Sequence, residues 1–448
     1  MYLKQLFVLI AITLVGFGCT DSNRAAEEAA TATAVPQPTA TIQPTRPAEP
    51  TILAEPATAL ANEPVAIQVV GLEPGQTITV FASLRDDYSI RWGSEATFVA
   101  DSNGTVDLTT QAPSSGTYNA VDPMGLFWSM MPQGLAGRVV TFGYSENSPV
   151  VVTLTAESEG ETIATAYLRR LRIGENVTMS PVLEDGLVGF FIAPETDKPI
   201  PALLVLGGSG GNMDIARAAM LASHGYATLA LDYFGNEPLP LSLTEVPLEY
   251  FATAVSWLKA QEIVDDTKIG VLGSSRGGEL ALLLGATYPE LFQVVVGYVP
   301  SGLVVANVSS DNMGEQSAWT LDGEPIPFFT GANYEEATIP VEKIQGPVLL
   351  ISGKDDQLWP STDWSEIAIN RLAEHNFPYP YEHLAYDDAG HWIGVPYWPT
   401  TGRDSFTHSV TGTQFSVGGT AVADAFASAD AWARLLEFLE SNLAQTGS

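Results

Sequence analysis

The chain has 448 residues, 46% of them hydrophobic, which is enough for more than one domain with a sizeable core. Fifty-two acidic against nineteen basic side chains give a formal charge of −33, which excludes nucleic acid and anionic lipid as surface partners and suits solubility in a salty or extracellular setting. A single cysteine, at position 19, excludes an intramolecular disulfide and leaves the folded part with neither a cysteine nucleophile nor a thiolate metal site.

Met1-Tyr2-Leu3-Lys4 is followed by an apolar run from Leu6 to Gly18 that ends in Cys19. A short charged start and an apolar stretch of this length make a secretory signal, too short for a comfortable membrane span, and predict export (signal segment 1–19). Leu14 to Cys19 resembles the lipobox of bacterial lipoproteins, in which the cysteine is lipidated and becomes the mature N-terminus; Gly16 and Phe17 depart from its usual pairing and leave simple signal cleavage as the alternative. Residues 20–50 are Ala, Thr, Pro and Glu with almost no large apolar side chains, so nothing repays the entropy of folding and the stretch reads as a disordered tether. The expectation is a protein facing the periplasm or exterior, touching membrane only through lipidated Cys19.

From 51 to 175 apolar and polar residues alternate between turn residues. Val65–Val70 runs into Glu73-Pro74-Gly75 and Thr77–Leu84 follows; Ala96–Ala100, an Asn103-Gly104 turn, Thr105–Leu108, Val150–Ala156 and Thr162–Arg170 continue the pattern. Short strands at this spacing predict an all-β, immunoglobulin-like sandwich. None of the five histidines falls here, so a packing and shaping role is expected, with apolar Asp122–Met131 in the core rather than facing a partner domain.

Residues 176–448 alternate strands with helices, the pattern of an α/β sheet. Strands are predicted at Leu187–Ile192, Ala202–Leu206, Ala227–Leu231, Ile269–Leu272, Val294–Val299, Val348–Ser352 and His383–Tyr386. Helices are predicted at Met213–Ser223, Leu248–Ala260, Gly278–Ala286, Ser365–His375 and Ala423–Asn442.

Two G-x-S-x-G stretches stand between a strand and a helix, at Gly207–Gly211 and Gly273–Gly277. A serine that attacks a carbonyl must be lifted above the sheet on a sharp turn, which leaves no room for Cβ atoms two residues to either side. An α/β-hydrolase orders its triad serine, acid, histidine, each after a strand. Counting forward from Ser275, the acid falls two strands on at Gly353-Lys354-Asp355-Asp356 and the histidine one strand later at Gly390-His391, whereas Ser209 comes two strands too early. Ser275 is therefore the expected nucleophile, His391 the base and Asp356 the acid, with Asp355 its rival. The loop of Ser209 sits where such folds donate an oxyanion amide, so the backbone N–H groups of Arg276 and, within a residue, Ser209 are the expected donors. His224 reads as a helix C-cap, His383 as a strand residue, and His375 and His408 as surface or loop residues.

Taken together these residues resemble the acyl-CoA thioesterase and bile acid-CoA:amino acid N-acyltransferase family. The likeness runs from about Pro64 to Leu439. It is carried by Val69–Gln76, Ser83–Asp86 and Asp122–Trp128 in the first part. In the second it rests on Gly207–Gly211, Leu248–Phe251, Gly273–Leu280, Gly353–Asp356, Gly390-His391 with Pro396-Tyr397, Gly418-Gly419 and Asp430–Trp432. The resemblance implies an α/β-hydrolase domain behind a β domain, triad roles for Ser275, Asp356 and His391, no cofactor and no metal, and acyl transfer from a small-molecule thioester to water or an amine. Members that conjugate amino acids typically carry a cysteine nucleophile, so serine favours hydrolysis. It also places Trp319, Phe328 and Phe329 near an acyl pocket, with ordinary packing as the alternative. Because an exported protein would not ordinarily meet coenzyme A, a carboxylesterase on the same triad and a catalytically idle binding protein are the other readings.

Overall fold

Two hairpin strands, Thr77–Arg85 and Arg91–Val99, pair without a break from Thr77 opposite Val99 to Arg85 opposite Arg91, and along both of them buried residues alternate with more exposed ones. That is the period-two signature of a sheet with one face on a core. The computed structural model describes residues 49–135, 142–143 and 149–443; Cys19 and the tether up to residue 48 lie outside them. The hairpin belongs to a seven-stranded sheet whose path runs Thr58–Leu60, Glu161–Leu171, Val150–Ser158, Thr77–Arg85, Arg91–Val99 and Ser115–Gly116, with Met131–Pro132 beside Arg91–Val99. Thr51–Glu55, Ala66–Val70 and Val106–Asp107 make a second sheet, and its Ile52, Ile67 and Val69 share a core with Val80, Phe98 and Val152 of the first. Gly93 obscured the first half of Arg91–Val99 in the sequence, although Trp92 beside it is fully buried.

The second part is an eight-stranded sheet: β1 Val177–Val182, β2 Val188–Pro194, β3 Ile200–Leu206, β4 Ala227–Asp232, β5 Val264–Ser274, β6 Val294–Tyr298, β7 Val348–Gly353 and β8 Tyr381–Tyr386. Its spatial order is β1-β2-β4-β3-β5-β6-β7-β8, with β2 antiparallel to both neighbours and every later pair parallel. This is the α/β-hydrolase fold behind a β domain. Strands β4, β6 and β7 are buried at every residue, which explains their unbroken apolar runs. Edge strand β1 buries only Val182 and so left no apolar run to read.

Helices α1 Ile215–Ser223 and α5 Ala421–Leu443 pack one face of the sheet; α2 Glu249–Lys259, α3 Arg276–Thr287 and α4 Ser361–Glu374 pack the other. The α1 and α5 face shares its core with the sandwich, and Ala48–Ser448 forms one compact unit. Asp122–Met131 serves both purposes weighed for it. It forms a short helix, Gly125–Trp128, buried throughout, while the Trp128 carbonyl accepts the Thr400 N–H at 3.0 Å. His224 caps the C-terminus of α1 and its Nε2 lies 2.8 Å from Asn62 Nδ2 of the sandwich.

Because Trp128 fills a core common to both parts, Trp128→Ala is expected to cost about 3–5 kcal/mol of unfolding free energy. Far-UV circular dichroism and fluorescence should shift together in a denaturant titration; a loss below about 1 kcal/mol would make the segment peripheral.

Candidate active site

Strand β5 ends at Ser274, and Ser275 then turns the chain into α3 with φ 58° and ψ −118°, on the positive-φ side that a non-glycine residue enters only under constraint. The neighbouring glycines supply the constraint. A Cβ at 273 would lie 1.9 Å from the Gly277 carbonyl oxygen, and one at 277 would lie 2.3 Å from the Gly207 carbonyl oxygen and 2.6 Å from that of Leu206. A Cβ at 208 would come within 3.3 Å of the Ser275 Cβ, so the upstream glycine loop runs directly against the serine.

The Ser275 amide donates to the Tyr298 carbonyl at 2.8 Å, whereas the amides of Arg276 and Ser209 have no acceptor among the described residues. The side chain of Arg276 faces inward. Its Nη2 donates to the Val305 carbonyl at 2.8 Å, and its Nη1 meets Glu279 Oε2 at 2.8 Å but off the line of a hydrogen bond. Burial pushes the Glu279 carboxyl up to about 6 against the pull of Arg276. Of Arg276, only the backbone N–H is left for the serine side.

After β7 the chain turns through Gly353, and Asp356 Oδ2 accepts a hydrogen bond from His391 Nδ1 at 2.7 Å. Its Oδ1 accepts the Leu358 and Trp359 amides at 3.0 and 3.3 Å, and the carboxylate is 1% exposed. Asp355 is exposed and turns elsewhere, accepting the Gly419 amide at 2.9 Å and Gln357 Nε2 at 3.2 Å. Ser275 and His391 line one cavity of about 460 Å³ together with Ser209, Trp392, Ile393 and Phe406. No hydrogen bond joins the Ser275 and His391 side chains.

Comparison with known proteins follows this geometry along the chain. Residues 62–184 match the family described as Acyl-CoA thioester hydrolase/BAAT N-terminal region, and residues 246–445 match BAAT / Acyl-CoA thioester hydrolase C terminal. Acyl-coenzyme A thioesterase 6 of Homo sapiens is 31% identical over 401 residues, covering 85% of this chain and 94% of the human protein. The chain belongs to the acyl-CoA thioester hydrolase/BAAT family. It is a hydrolase by family. Acyl-coenzyme A amino acid N-acyltransferase 2 of Mus musculus is also similar, 30% identical over 413 residues with 88% and 97% coverage. Among solved structures, a dienelactone hydrolase-like phosphotriesterase from metagenomic libraries shares 20% identity and a TM-score of 0.41, over 60% of this chain and 99% of its own.

In this family member three features escaped the sequence reading. Val417–Gly419 stitches the acid loop to the histidine loop. The His391 amide donates to the Val417 carbonyl at 2.8 Å, Asp356 bridges to Gly418, and a Cβ at 418, where φ is +69°, would lie 1.7 Å from the Asp355 carbonyl oxygen. The adjacent glycines were the available signal. Second, His408 is not a surface residue: it is 4% exposed, because the hairpin of Ser405–Thr407 and Gln414–Ser416 folds it onto the glycine loop. Its Nδ1 accepts the Val410 amide at 3.2 Å, which leaves Nε2–H to donate to Ser209 Oγ at 3.0 Å. Third, Asp424 at the start of α5 accepts the Gly390 amide at 2.8 Å, one residue from His391.

His383 sits in β8 as expected, between Ser352 Oγ and Glu366, and His375 is exposed at the end of α4. Trp319 lies outside the cavity, fully buried with Nε1 donating to Glu279 at 2.9 Å and its ring beside Tyr233 and Phe251; Phe328 packs on the same core. For these two, ordinary packing is the correct reading.

Burial raises the Asp424 pKa from an ordinary 3.8 to about 6, with the Gly390 amide and Arg403 pulling it back. The native state thus keeps a proton that the unfolded chain has released, so this group's contribution to stability falls as pH rises from about 4 to about 6 and is constant above. Asp424→Asn keeps an acceptor and removes the titration. Its stability relative to wild type should improve across that window by on the order of 1–3 kcal/mol. Thermal melts at each pH test this, and a difference that does not change with pH contradicts it.

Proposed function

We propose that this chain is a serine-dependent acyl hydrolase that cleaves acyl-CoA-type thioesters through a Ser275–His391–Asp356 triad and a covalent acyl-enzyme. The observation that carries the reading is the 2.7 Å hydrogen bond by which His391, in the wall of the cavity that also holds Ser275 on its strained turn, donates from Nδ1 to the buried carboxylate of Asp356. With Nδ1–H committed to the carboxylate, Nε2 is the free lone pair that takes the serine proton. Ser275 Oγ then bonds to the acyl carbon, and the negative charge on the carbonyl oxygen is met by the free amides of Arg276 and Ser209. Collapse of that intermediate expels the thiolate, which takes the proton from His391 and leaves an ester on Ser275. Water repeats the sequence, losing its proton to His391 and releasing the carboxylic acid and Ser275.

Thioester as the substrate class is supported by the names of the relatives, among them the peroxisomal succinyl-coenzyme A thioesterase of Mus musculus, 29% identical over 405 residues. Serine at position 275, where conjugating members are expected to carry cysteine, supports water over an amine as acceptor. The apolar run before Cys19, read as a secretory signal, supports a second reading, hydrolysis of carboxylic esters on the same triad. Export and lipid anchoring at Cys19 belong to the proposal too, supported by the apolar run that ends there.

Purified protein lacking residues 1–48 should release thiol from acyl-CoAs, measured with a chromogenic disulfide. Ser275→Ala should lower kcat by about 10⁴-fold or more, Asp356→Asn by about 10³–10⁴-fold, and Asp355→Asn far less. Turnover of p-nitrophenyl esters without any thiol release would transfer the activity to carboxylic esters. Activity surviving in Ser275→Ala would remove the mechanism. In a bacterial host, the full chain should incorporate a palmitate analogue that Cys19→Ala does not; equal labelling of both would end the anchoring proposal.

A further inference from the structure

Two guanidinium groups stand in the wall of the catalytic cavity, in a chain whose acidic residues outnumber its basic ones 52 to 19. Arg217, in the first turn of α1, has a side chain only 6% exposed. Its Nε donates to Asp214 at 3.0 Å, its Nη2 donates to the Ile393 carbonyl at 3.4 Å, and its Cζ lies 3.8 Å from the Tyr298 ring centroid. Its Nη1 is buried and has no hydrogen-bond partner.

Arg403 follows the histidine loop and leads into the hairpin. It donates to no group among the described residues, and its Nε is buried without a partner. The carboxylate that acts on it is Asp424, which already accepts the Gly390 amide. A buried N–H that meets no acceptor costs free energy, more so on a charged group, and the fold pays that twice in one cavity. The local balance is also unlike the rest of the molecule. Of the residues lining the cavity, Asp214 is the one carboxylate, and it is held by Arg217. A forked, always-charged donor set facing a cavity is the chemistry that recognises carboxylate and phosphate oxygens.

We propose that Arg403, backed by Arg217, forms an anion-binding subsite of the catalytic cavity that takes a carboxylate or phosphate carried by the substrate. The inference rests on the acyl-hydrolase reading for its setting, but it concerns binding and is tested by binding. The same oxyanion chemistry has two sources: a terminal carboxylate on the acyl chain, or a phosphate on the leaving thiol.

Four ligands separate the two sources: butanoyl and succinyl thioesters, each on coenzyme A and on uncharged N-acetylcysteamine. Their affinities are measured by calorimetry in Ser275→Ala, which holds them uncleaved, and in the same background with Arg403→Gln or Arg403→Lys. Arg403→Gln should weaken binding by about tenfold or more wherever the ligand carries the anion that is read. Loss on succinyl-N-acetylcysteamine places the anion on the acyl chain, and loss on butanoyl-CoA places it on the thiol. Butanoyl-N-acetylcysteamine should change by less than about twofold, and Arg403→Lys, with charge but no fork, should fall between wild type and Gln. Should Arg403→Gln fail to fold by near-UV circular dichroism, the smaller selective loss in Arg403→Lys is the readout. Equal loss on all four ligands, no loss on any, or no binding to Ser275→Ala overturns the subsite. Turnover of the same four compounds by the unmutated protein is read separately. Binding through Arg403 without turnover leaves the subsite standing and removes the hydrolase reading; turnover without Arg403 selectivity does the reverse.

Discussion

The close approach of two backbone loops, with Gly277 packed against the carbonyls of Leu206 and Gly207, is the contact on which the site depends. It forces the chain through a positive φ at Ser275, raises that side chain above β5, and brings the upstream glycine loop alongside it. Neither loop reaches this arrangement alone. Parallel strands β3 and β5, paired from Ala202 opposite Ile269 to Leu206 opposite Gly273, end at the same level and hand both loops to the same place. The fold thereby brings a serine and two amides without an acceptor among the described residues to one place.

The acid and the histidine are held differently. Their loops follow β7 and β8, and what joins them is a third strand of backbone, Val417–Gly419, which reaches them only after the hairpin has been traversed. From that joint α5 runs back across the sheet and packs in the core shared with the sandwich. The β domain thus has a physical tie to the cavity that Ser275 and His391 line. Trp398, in the cavity wall, stacks on Phe142 at 5.2 Å, and Thr400 hydrogen-bonds to Trp128 of the sandwich.

Much of this was legible in the amino-acid sequence, for reasons that differ by element. Strands buried on both faces announce themselves as apolar runs, and the strand count led to three residues of which Asp356 and His391 are hydrogen-bonded and Ser275 and His391 line one cavity. The glycines at 207, 273 and 277 could be read because a Cβ there would lie 2.0, 1.9 and 2.3 Å from a backbone carbonyl oxygen. What could not be read shares one property, namely contact between segments far apart in the chain. His408 sits in a polar stretch that has the composition of a surface loop, and only the return of the hairpin onto residues 207–211 buries it. Asp424 looks like an ordinary acidic residue in a helix's first turn, which explains its type but not its bond to Gly390. For Trp319 the sequence leaves pocket and ordinary packing both open, and its indole N–H bond to the buried Glu279 decides for packing.

The hairpin of Ser405–Ser416 connects the histidine loop to the joint and grips the glycine loop at two points, His408 to Ser209 and Ser409 Oγ to the Gly210 carbonyl at 2.6 Å. Its Phe406 also forms part of the cavity wall. A remodelled hairpin therefore alters both the shape of the cavity and the setting of the glycine loop that carries the Ser209 amide. For protein engineering this makes the segment a poor place to retune selectivity by itself. A redesign that keeps the two grips can vary the rest of the loop; one that loses them also unseats the glycine loop.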